Sequence, residues 1–222
     1  MNTLHTFGCS FTAPFDPARK EYKDYMDFRG GTFPKIWPEL LSKKMGLKLS
    51  NQGVGGSSNY DIFQSFCDNV DKIKKGDVVI ISWSFKERFR IVNEKYDLFV
   101  KIGTGYEVVV PNISKNTINE ILCNRMDQKW CEEVYSWEKV IKKLSELIGF
   151  KLFFWSLDDS FKEHNGLIML FGEIGAETIN AETNGVVPDF HFGEIGHQVQ
   201  CDYFYGVLTG KIKYLDIPKK LI

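Results

Sequence analysis

The sequence predicts a three-layer α/β/α fold, in which a parallel sheet of about five strands is covered by helices on both faces. In the first 80 or so residues, strand-like and helix-like segments alternate, which is the order typical of doubly wound α/β proteins. The third strand, Val78–Trp83, is an unbroken apolar run. Such a run indicates a strand that is buried on both faces of a parallel sheet.

The first elements are short and clearly bounded. A buried strand, Leu4–Phe7, leads directly into Gly8-Cys9-Ser10. The spacing of apolar residues then predicts a helix over Phe33–Met45, with Pro34 in its first turn and Gly46 at its end. Leu47–Ser50 is the second predicted strand, and a glycine-rich turn follows it.

The next helix and an inserted hairpin are predicted from periodicity. Apolar residues recur every three or four positions over Asn59–Lys75, which predicts a helix. Lys95–Val110 alternates weakly around Gly103-Thr104-Gly105, and this pattern predicts a β-hairpin inserted into the scaffold. We place the insertion around residues 91–115 of a single domain that spans residues 1–222.

The second half of the chain supplies the remaining core elements. Trp130–Ile148 carries one apolar stripe opposite Lys and Glu residues, which predicts an amphipathic helix. Lys151–Trp155 is the fourth predicted strand, and Gly193–Tyr205 is predicted to be the last helix. The segment 157–187 has no pattern that assigns it to a helix or a strand.

Composition excludes several classes of protein. With 28 basic and 29 acidic residues, the net charge of −1 argues against general binding to nucleic acid. The five cysteines lack the spacing of a disulfide framework or a zinc site, which fits a reducing compartment. The sequence has neither a signal-peptide pattern nor an apolar run of about 20 residues. We therefore expect a cytoplasmic protein that does not bind membranes.

Four segments of the chain bring reactive residue types to one edge of the predicted sheet. Ligands of open parallel sheets bind at the carboxyl ends of the strands. Ser10 follows the first strand, Gly53–Ser58 follows the second, and Ser82–Ser84 ends the third. The pair Asp189 and His191 lies just before the last helix. This convergence indicates a site at that edge.

Ser10, His191 and Asp189 are the residue types that nucleophilic acyl transfer requires: a hydroxyl, a base and a group that orients the base. In an extended segment, Asp189 and His191 leave the same face with Cα atoms roughly 6.5–7 Å apart. A carboxylate at that distance can hold the imidazole in one tautomer. The alternative for Ser10 is a serine that caps a turn, and His197 is expected to be a structural hydrogen-bonding residue.

Three short blocks resemble those of the SGNH (GDSL-type) hydrolases. Gly8-Cys9-Ser10-Phe11 resembles the nucleophile block, and Asn51-Gln52-Gly53-Val54-Gly55-Gly56 is similar to the second block, N-x-G-x-x-G. Asp189-Phe190-His191, followed by Gly196-His197, resembles the last block. The order and spacing also agree, and the resemblance spans nearly the whole chain outside the inserted hairpin and part of 111–135.

This resemblance implies a fold, a site and an activity. The fold would be flavodoxin-like, Ser10 the nucleophile, His191 the general base and Asp189 its orienting acid. The amides of Ser10 and Gly56 would form the oxyanion hole. The implied reaction is hydrolysis of a small acyl ester, such as one on a carbohydrate, without cofactor or metal. Compact proteins that begin with such a block are frequent in bacteriophages, which adds a virion or an infected host cell to the expected locations.

Two departures from the family pattern bear on activity. Where the third block, G-x-N-D, supplies an asparagine to the oxyanion hole, this chain has Ser84 and Lys86 in place of the glycine and the asparagine. Loss of one oxyanion donor costs about 10²–10³ in rate, so Ser84, Lys86 or the nearby Asn59 is expected to substitute as an oxyanion or substrate-binding group. In addition, Asp189 precedes His191 by two residues instead of three.

Other functions stay open at this stage. The altered third block also fits a catalytically weak or inactive module that binds a partner or builds a larger particle. The same residues would also support an acyltransferase. Gly53–Gly56 before a helix suits a phosphate, although the lysine of a P-loop is missing. The sequence does not indicate an oligomeric state.

Overall fold

Strands and helices alternate along the chain of the computed structural model, which describes residues 1–85, 89–93, 98–102, 129–156, 167–168 and 178–212. The strands within these ranges are β1 (Thr3–Gly8), β2 (Lys48–Gly53), β3 (Val78–Trp83), β4 (Phe89–Asn93), β5 (Leu98–Ile102), β6 (Lys151–Ser156) and β7 (Leu167–Ile168). The α-helices are α1 (Lys20–Phe28), α2 (Trp37–Met45), α3 (Asn59–Cys67), α4 (Lys129–Ile148), α5 (Ile179–Glu182) and α6 (Glu194–Leu208).

The main sheet is parallel and has the strand order β2-β1-β3-β6-β7. β1 lies between β2 and β3, with Gly8 paired to Gly53 and Phe7 to Ile81. The first connection therefore runs to one side of β1 and the next connection runs to the other side. Open α/β sheets form their ligand crevices at such a change in strand order. The predicted α/β class and the count of about five strands are confirmed.

Two apolar cores lie on the two faces of the sheet, which makes the three layers. One core combines Trp37 and Leu41 of α2 with Phe204 of α6. The other contains residues from α3 and α4, including Phe66 and Ile141. All six residues of β3 are buried, as the apolar run Val78–Trp83 predicts for a central strand.

Three helical features differ from the sequence prediction. α2 begins at Trp37, four residues later than predicted, and Pro38 instead of Pro34 occupies its first turn. α3 ends at Cys67, and a short 3₁₀ turn, Val70–Lys72, then carries the chain on, so Ile73 is buried without belonging to a helix. α1 was not predicted, because its buried face is made by two tyrosines, Tyr22 and Tyr25.

The inserted hairpin is present but begins earlier than predicted. β4 and β5 pair antiparallel, from Phe89 opposite Ile102 to Asn93 opposite Leu98. The sequence placed the hairpin at 95–110, and its predicted turn at 103–105 lies outside the described residues. The hairpin follows β3 and contacts α3, so it stands at the carboxyl edge of the sheet.

Candidate active site

Ser10 lies on a tight turn at the carboxyl end of β1. The carbonyl of Cys9 accepts hydrogen bonds from the amides of Thr12 (2.9 Å) and Ala13 (3.0 Å), which bends the chain sharply after the strand. A Cβ atom on Gly8 would lie 2.4 Å from Thr12 Oγ1, so this turn folds back against the strand at a position that only glycine fits. Ser10 is 9% exposed.

Ser10 and His191 meet, although 181 positions separate them in the sequence. The Ser10 hydroxyl lies 2.7 Å from His191 Nε2, and His191 Nδ1 lies 2.6 Å from Asp189 Oδ1. The same Asp189 oxygen also accepts the backbone N–H of His191 at 2.7 Å. The two-residue spacing of acid and base is therefore compatible with a Ser–His–Asp relay, in which Nδ1 donates to the carboxylate and Nε2 accepts from the hydroxyl.

Asp189 is held as a buried carboxylate. Burial alone favours its neutral form, but the hydrogen bond and charge of the His191 ring, the His191 amide and the charge of Arg19 together bring the pKa of Asp189 below its usual value. Arg19 Nη2 lies 4.0 Å from Asp189 Oδ2. A carboxylate that stays ionised can stabilise the imidazolium that forms when His191 takes a proton.

Two aromatic rings flank the imidazole. The ring of Phe11 lies 4.8 Å from that of His191, and the ring of Tyr22 lies 5.8 Å away in an edge-on arrangement. The guanidinium of Arg19 stacks over Tyr22 at 4.5 Å from the ring centre. The His191 side chain is 19% exposed, so the ring is partly shielded from water and keeps an open side.

The second sequence block supports the turn that carries Ser10. Asn51 Oδ1 accepts hydrogen bonds from Thr6 Oγ1 and the Gly53 amide, both at 2.9 Å, and Asn51 Nδ2 donates to the carbonyl of Thr12 at 2.8 Å. A Cβ on Gly53 would lie 2.6 Å from the amide nitrogen of Ala13. The asparagine and the first glycine of this block therefore join β2 to the loop after β1.

The amides of Ser10 and Gly56 have no hydrogen-bond acceptor in the described part of the chain. Gly56 has a φ of +76°, a left-handed conformation that suits glycine, in the turn between β2 and α3. Within the described ranges, the predicted oxyanion donors are thus free of other acceptors. Their role in holding an oxyanion stays a prediction.

Two of the three residues predicted near the third block are bound to each other. Asn59 Oδ1 accepts the Ser84 amide at 2.6 Å, and Asn59 Nδ2 donates to the Ser84 carbonyl at 3.1 Å. Both residues are buried. This pairing anchors the chain leaving β3 to the start of α3, while the proposed oxyanion or substrate-binding roles of Ser84 and Asn59 stay predictions. Lys86 lies outside the described residues.

The histidines other than His191 that the structure describes have structural contacts. His5 Nε2 lies 3.2 Å from Asp77 Oδ2, at the opposite edge of the sheet. His197 Nδ1 accepts the backbone N–H of Trp37 at 3.3 Å. Burial, with a smaller effect of His191, lowers the pKa of His197 to about 3, so it stays neutral near pH 7.

Sequence reasoning missed Glu182, which binds the segment that follows His191. It lies on α5, a helix of four residues, which is too short to show a periodic pattern. Its partners are distant in sequence, and the nearest of them is twelve residues away. A local signal for its role is therefore absent.

Each of the three sequence blocks lies at the end of a strand or before a helix, as the predicted fold requires. The nucleophile block follows β1, the glycine block follows β2, and the histidine block precedes α6. The three-layer α/β fold predicted from the sequence is confirmed. Within the described ranges, no helix has the length and apolar character needed to cross a membrane.

Comparisons with known proteins found similarity only among solved structures. Neither a family model nor a curated protein sequence matches the chain. A member of the lipolytic G-D-S-L family from Veillonella parvula DSM 2008 matches over 94% of this chain and 99% of its own, with 15% identity and a TM-score of 0.43. A protein assigned to the same family from Desulfitobacterium hafniense DCB-2 matches over 93% and 99%, with 16% identity and a TM-score of 0.38.

A third similar structure is a catalytic mutant of the acetylxylan esterase Axe2 from Geobacillus stearothermophilus. It matches over 96% of this chain and 95% of its own, with 12% identity and a TM-score of 0.30. Likeness at this level carries no information about activity, so the function is inferred from the side chains of this chain.

Proposed function

We propose that the protein is a serine ester hydrolase of the SGNH type, in which Ser10 is the nucleophile. The observation that carries this proposal is the continuous hydrogen-bonded series from Ser10 Oγ through the His191 ring to Asp189, with distances of 2.7 and 2.6 Å. Distances in this range suit proton transfer between a nucleophile and its base.

In the first half of the proposed reaction, Ser10 Oγ attacks the ester carbonyl and its proton passes to His191 Nε2. The carbonyl oxygen becomes an oxyanion, which accepts hydrogen bonds from the amides of Ser10 and Gly56. Asp189 keeps the second proton of the ring on Nδ1 and stabilises the imidazolium. The tetrahedral species then expels the alkoxide, which takes the proton from Nε2, and the acyl group stays on Ser10.

In the second half, water attacks the acyl-enzyme. His191 Nε2 accepts a proton from this water, the carbonyl oxygen again becomes an oxyanion, and collapse releases the carboxylic acid as Ser10 Oγ recovers its proton from the ring. Every proton is returned, so the residues of the site suffice for the reaction.

A small acyl ester, such as one on a carbohydrate, is the proposed substrate class. The sequence resemblance supports this class, and so does the position of the β4–β5 hairpin at the carboxyl edge of the sheet, where it would form one wall of the substrate site. Esters of increasing acyl length, tested on the same enzyme, would define the limit that this wall sets.

The test of the proposal is covalent labelling with a fluorophosphonate probe. We expect the wild type to be labelled and both Ser10→Ala and His191→Ala to lose labelling, with kcat for ester hydrolysis reduced by about 10⁶-fold. Ser145→Ala is the matched control, because Ser145 lies on α4 and donates only to a carbonyl of its own helix.

Two results would redirect the proposal. A folded wild type that is not labelled would overturn it and favour a binding or structural module. Labelling with transfer of the acyl group to an added alcohol or sugar, in preference to water, would identify an acyltransferase instead.

A further inference from the structure

The backbone of Asp189 and His191 is held by α5. The amide of Ile179 donates to the His191 carbonyl at 2.9 Å, and the amide of Asn180 donates to the Asp189 carbonyl at 2.8 Å. The first two residues of this short helix therefore fix the main chain of both the base and its orienting acid.

The last residue of α5, Glu182, holds the chain just beyond His191. Glu182 Oε2 accepts the Glu194 amide at 2.7 Å and the Tyr25 hydroxyl at 2.8 Å. Glu182 Oε1 accepts a hydrogen bond from Arg29 Nη1 at 2.7 Å, and Arg29 Nη2 lies 2.9 Å from the Glu194 carboxylate. One carboxylate thus connects α1, α5 and the start of α6.

The fit around this carboxylate leaves little room for movement. A Cβ on Gly193 would lie 2.1 Å from Glu182 Oε2, so the carboxylate packs directly against the main chain two residues after His191. Tyr25 is fully buried. Burial and the neighbouring Glu182 hold the pKa of Tyr25 far above its usual range, so the phenol keeps the proton that it donates.

We propose that Glu182 is a positioning residue for His191, which keeps the imidazole within hydrogen-bond distance of Ser10; this inference rests on the function proposed above. Glu182 does not contact the reacting atoms. It acts through the backbone of residues 189–194. The α5 amides hold the carbonyls of Asp189 and His191, and the Glu182 carboxylate holds the Glu194 amide.

Glu182→Gln is the sharpest perturbation, because it keeps the size of the side chain and removes one acceptor. In either orientation of the new amide, its NH₂ group faces a donor: Arg29 on one side, or the Glu194 amide on the other. One orientation removes the hydrogen bond to the Glu194 amide at the start of α6, and the other removes the Arg29 contact that ties the carboxylate to α1. Either loss weakens the hold on the chain beyond His191. Displacement of a reacting group by about 1 Å costs on the order of 10² in rate.

The matched control is Asp77→Asn, which removes the charge from a carboxylate of the same kind at the opposite edge of the sheet. Asp77 also accepts several hydrogen bonds, from the amides of Thr3 (2.8 Å) and Lys74 (2.9 Å), and contacts His5. Both variants are expected to lower the melting temperature. Only Glu182→Gln is expected to change the site.

The first readout is steady-state hydrolysis of p-nitrophenyl acetate, corrected for the folded fraction. We expect Glu182→Gln to lower kcat by about 10- to 100-fold with little change in KM, and Asp77→Asn to leave both constants near wild type. If Glu182→Gln lowers the melting temperature as Asp77→Asn does but keeps the wild-type kcat, Glu182 is only structural and the proposal is wrong.

The second readout is independent of activity. In the ¹⁵N-histidine NMR spectrum, the His191 Nδ1 proton bound to Asp189 should be slow to exchange in the wild type and in Asp77→Asn, and broadened or lost in Glu182→Gln. If the wild type neither hydrolyses esters nor reacts with fluorophosphonate, the proposed function fails, and the NMR comparison still decides whether Glu182 positions the ring. A sharp Nδ1 signal in Glu182→Gln would overturn the positioning role.

Discussion

Substitution of Asp189 by Asn tests the electrostatic part of the proposed site with almost no change of shape. In the wild type, one oxygen, Oδ1, accepts both the ring N–H and the backbone N–H of His191, at 2.6 and 2.7 Å. An asparagine whose carbonyl oxygen takes the place of Oδ1 can keep both contacts. It cannot supply the negative charge that stabilises the imidazolium.

The expected loss follows from the tautomer as well as from the charge. If the asparagine amide turns its NH₂ toward the ring, His191 Nδ1 becomes the acceptor and the ring proton moves to Nε2, which then faces Ser10 and cannot act as a base. We expect kcat/KM to fall by about 10³–10⁴, which corresponds to about 4–5.5 kcal/mol of transition-state stabilisation.

The assay is ester hydrolysis at saturating and limiting substrate, with Asp77→Asn as the control. A loss below about tenfold in a folded Asp189→Asn protein would refute the relay, because the carboxylate would then be dispensable.

The pH dependence of stability gives a second check. Since the folded state holds the pKa of Asp189 below its usual value, the carboxylate stabilises the protein above the unfolded pKa, and this contribution disappears as the pH falls through the folded pKa.

Two further predictions concern the support of the site. Gly53→Ala should lower the free energy of unfolding by about 1–3 kcal/mol in urea titrations, because its Cβ would lie 2.6 Å from the backbone of the loop after β1. Gly55 has open space around it, so Gly55→Ala should stay within about 0.5 kcal/mol of wild type. His197→Gln should make the protein less sensitive to acid. With a folded pKa of about 3 and a reference value of 6.5, the wild type should lose about 1.5 kcal/mol more of its free energy of unfolding than this variant between pH 6.5 and 5. Equal losses over that range would show that His197 is not kept neutral by the fold.

The predictable part of the fold was the part set by local pattern. β3 is an apolar run because both of its faces are buried, and α4 has an apolar stripe because one of its faces is buried. The predicted bounds of both elements agree with the structure to within one residue. The approach of Ser10 to His191 was expected from the position of each residue at a strand end or before a helix. That contact is present, at 2.7 Å.

The unpredictable part depends on contacts between distant segments. Pro34 and Pro38 both suit a first helical turn, and the helix begins at Trp37, whose side chain packs in the core. The predicted helix over 59–75 is longer than the observed one. A 3₁₀ turn brings Ile73 into the core at a spacing similar to that of a helix, so the apolar pattern continues past the point where the helix ends. Glu182 finds Tyr25 and Arg29 more than 150 positions away, which no short motif records.

The 181-residue separation between the hydroxyl and the imidazole has a consequence for biosynthesis. While the ribosome still holds the histidine segment, the emerging polypeptide contains its serine but no partner to activate it. The proposed chemistry therefore begins only after the segment that contains Asp189 and His191 has been made and packed. Probe labelling of ribosome-bound chains of increasing length would time that moment directly.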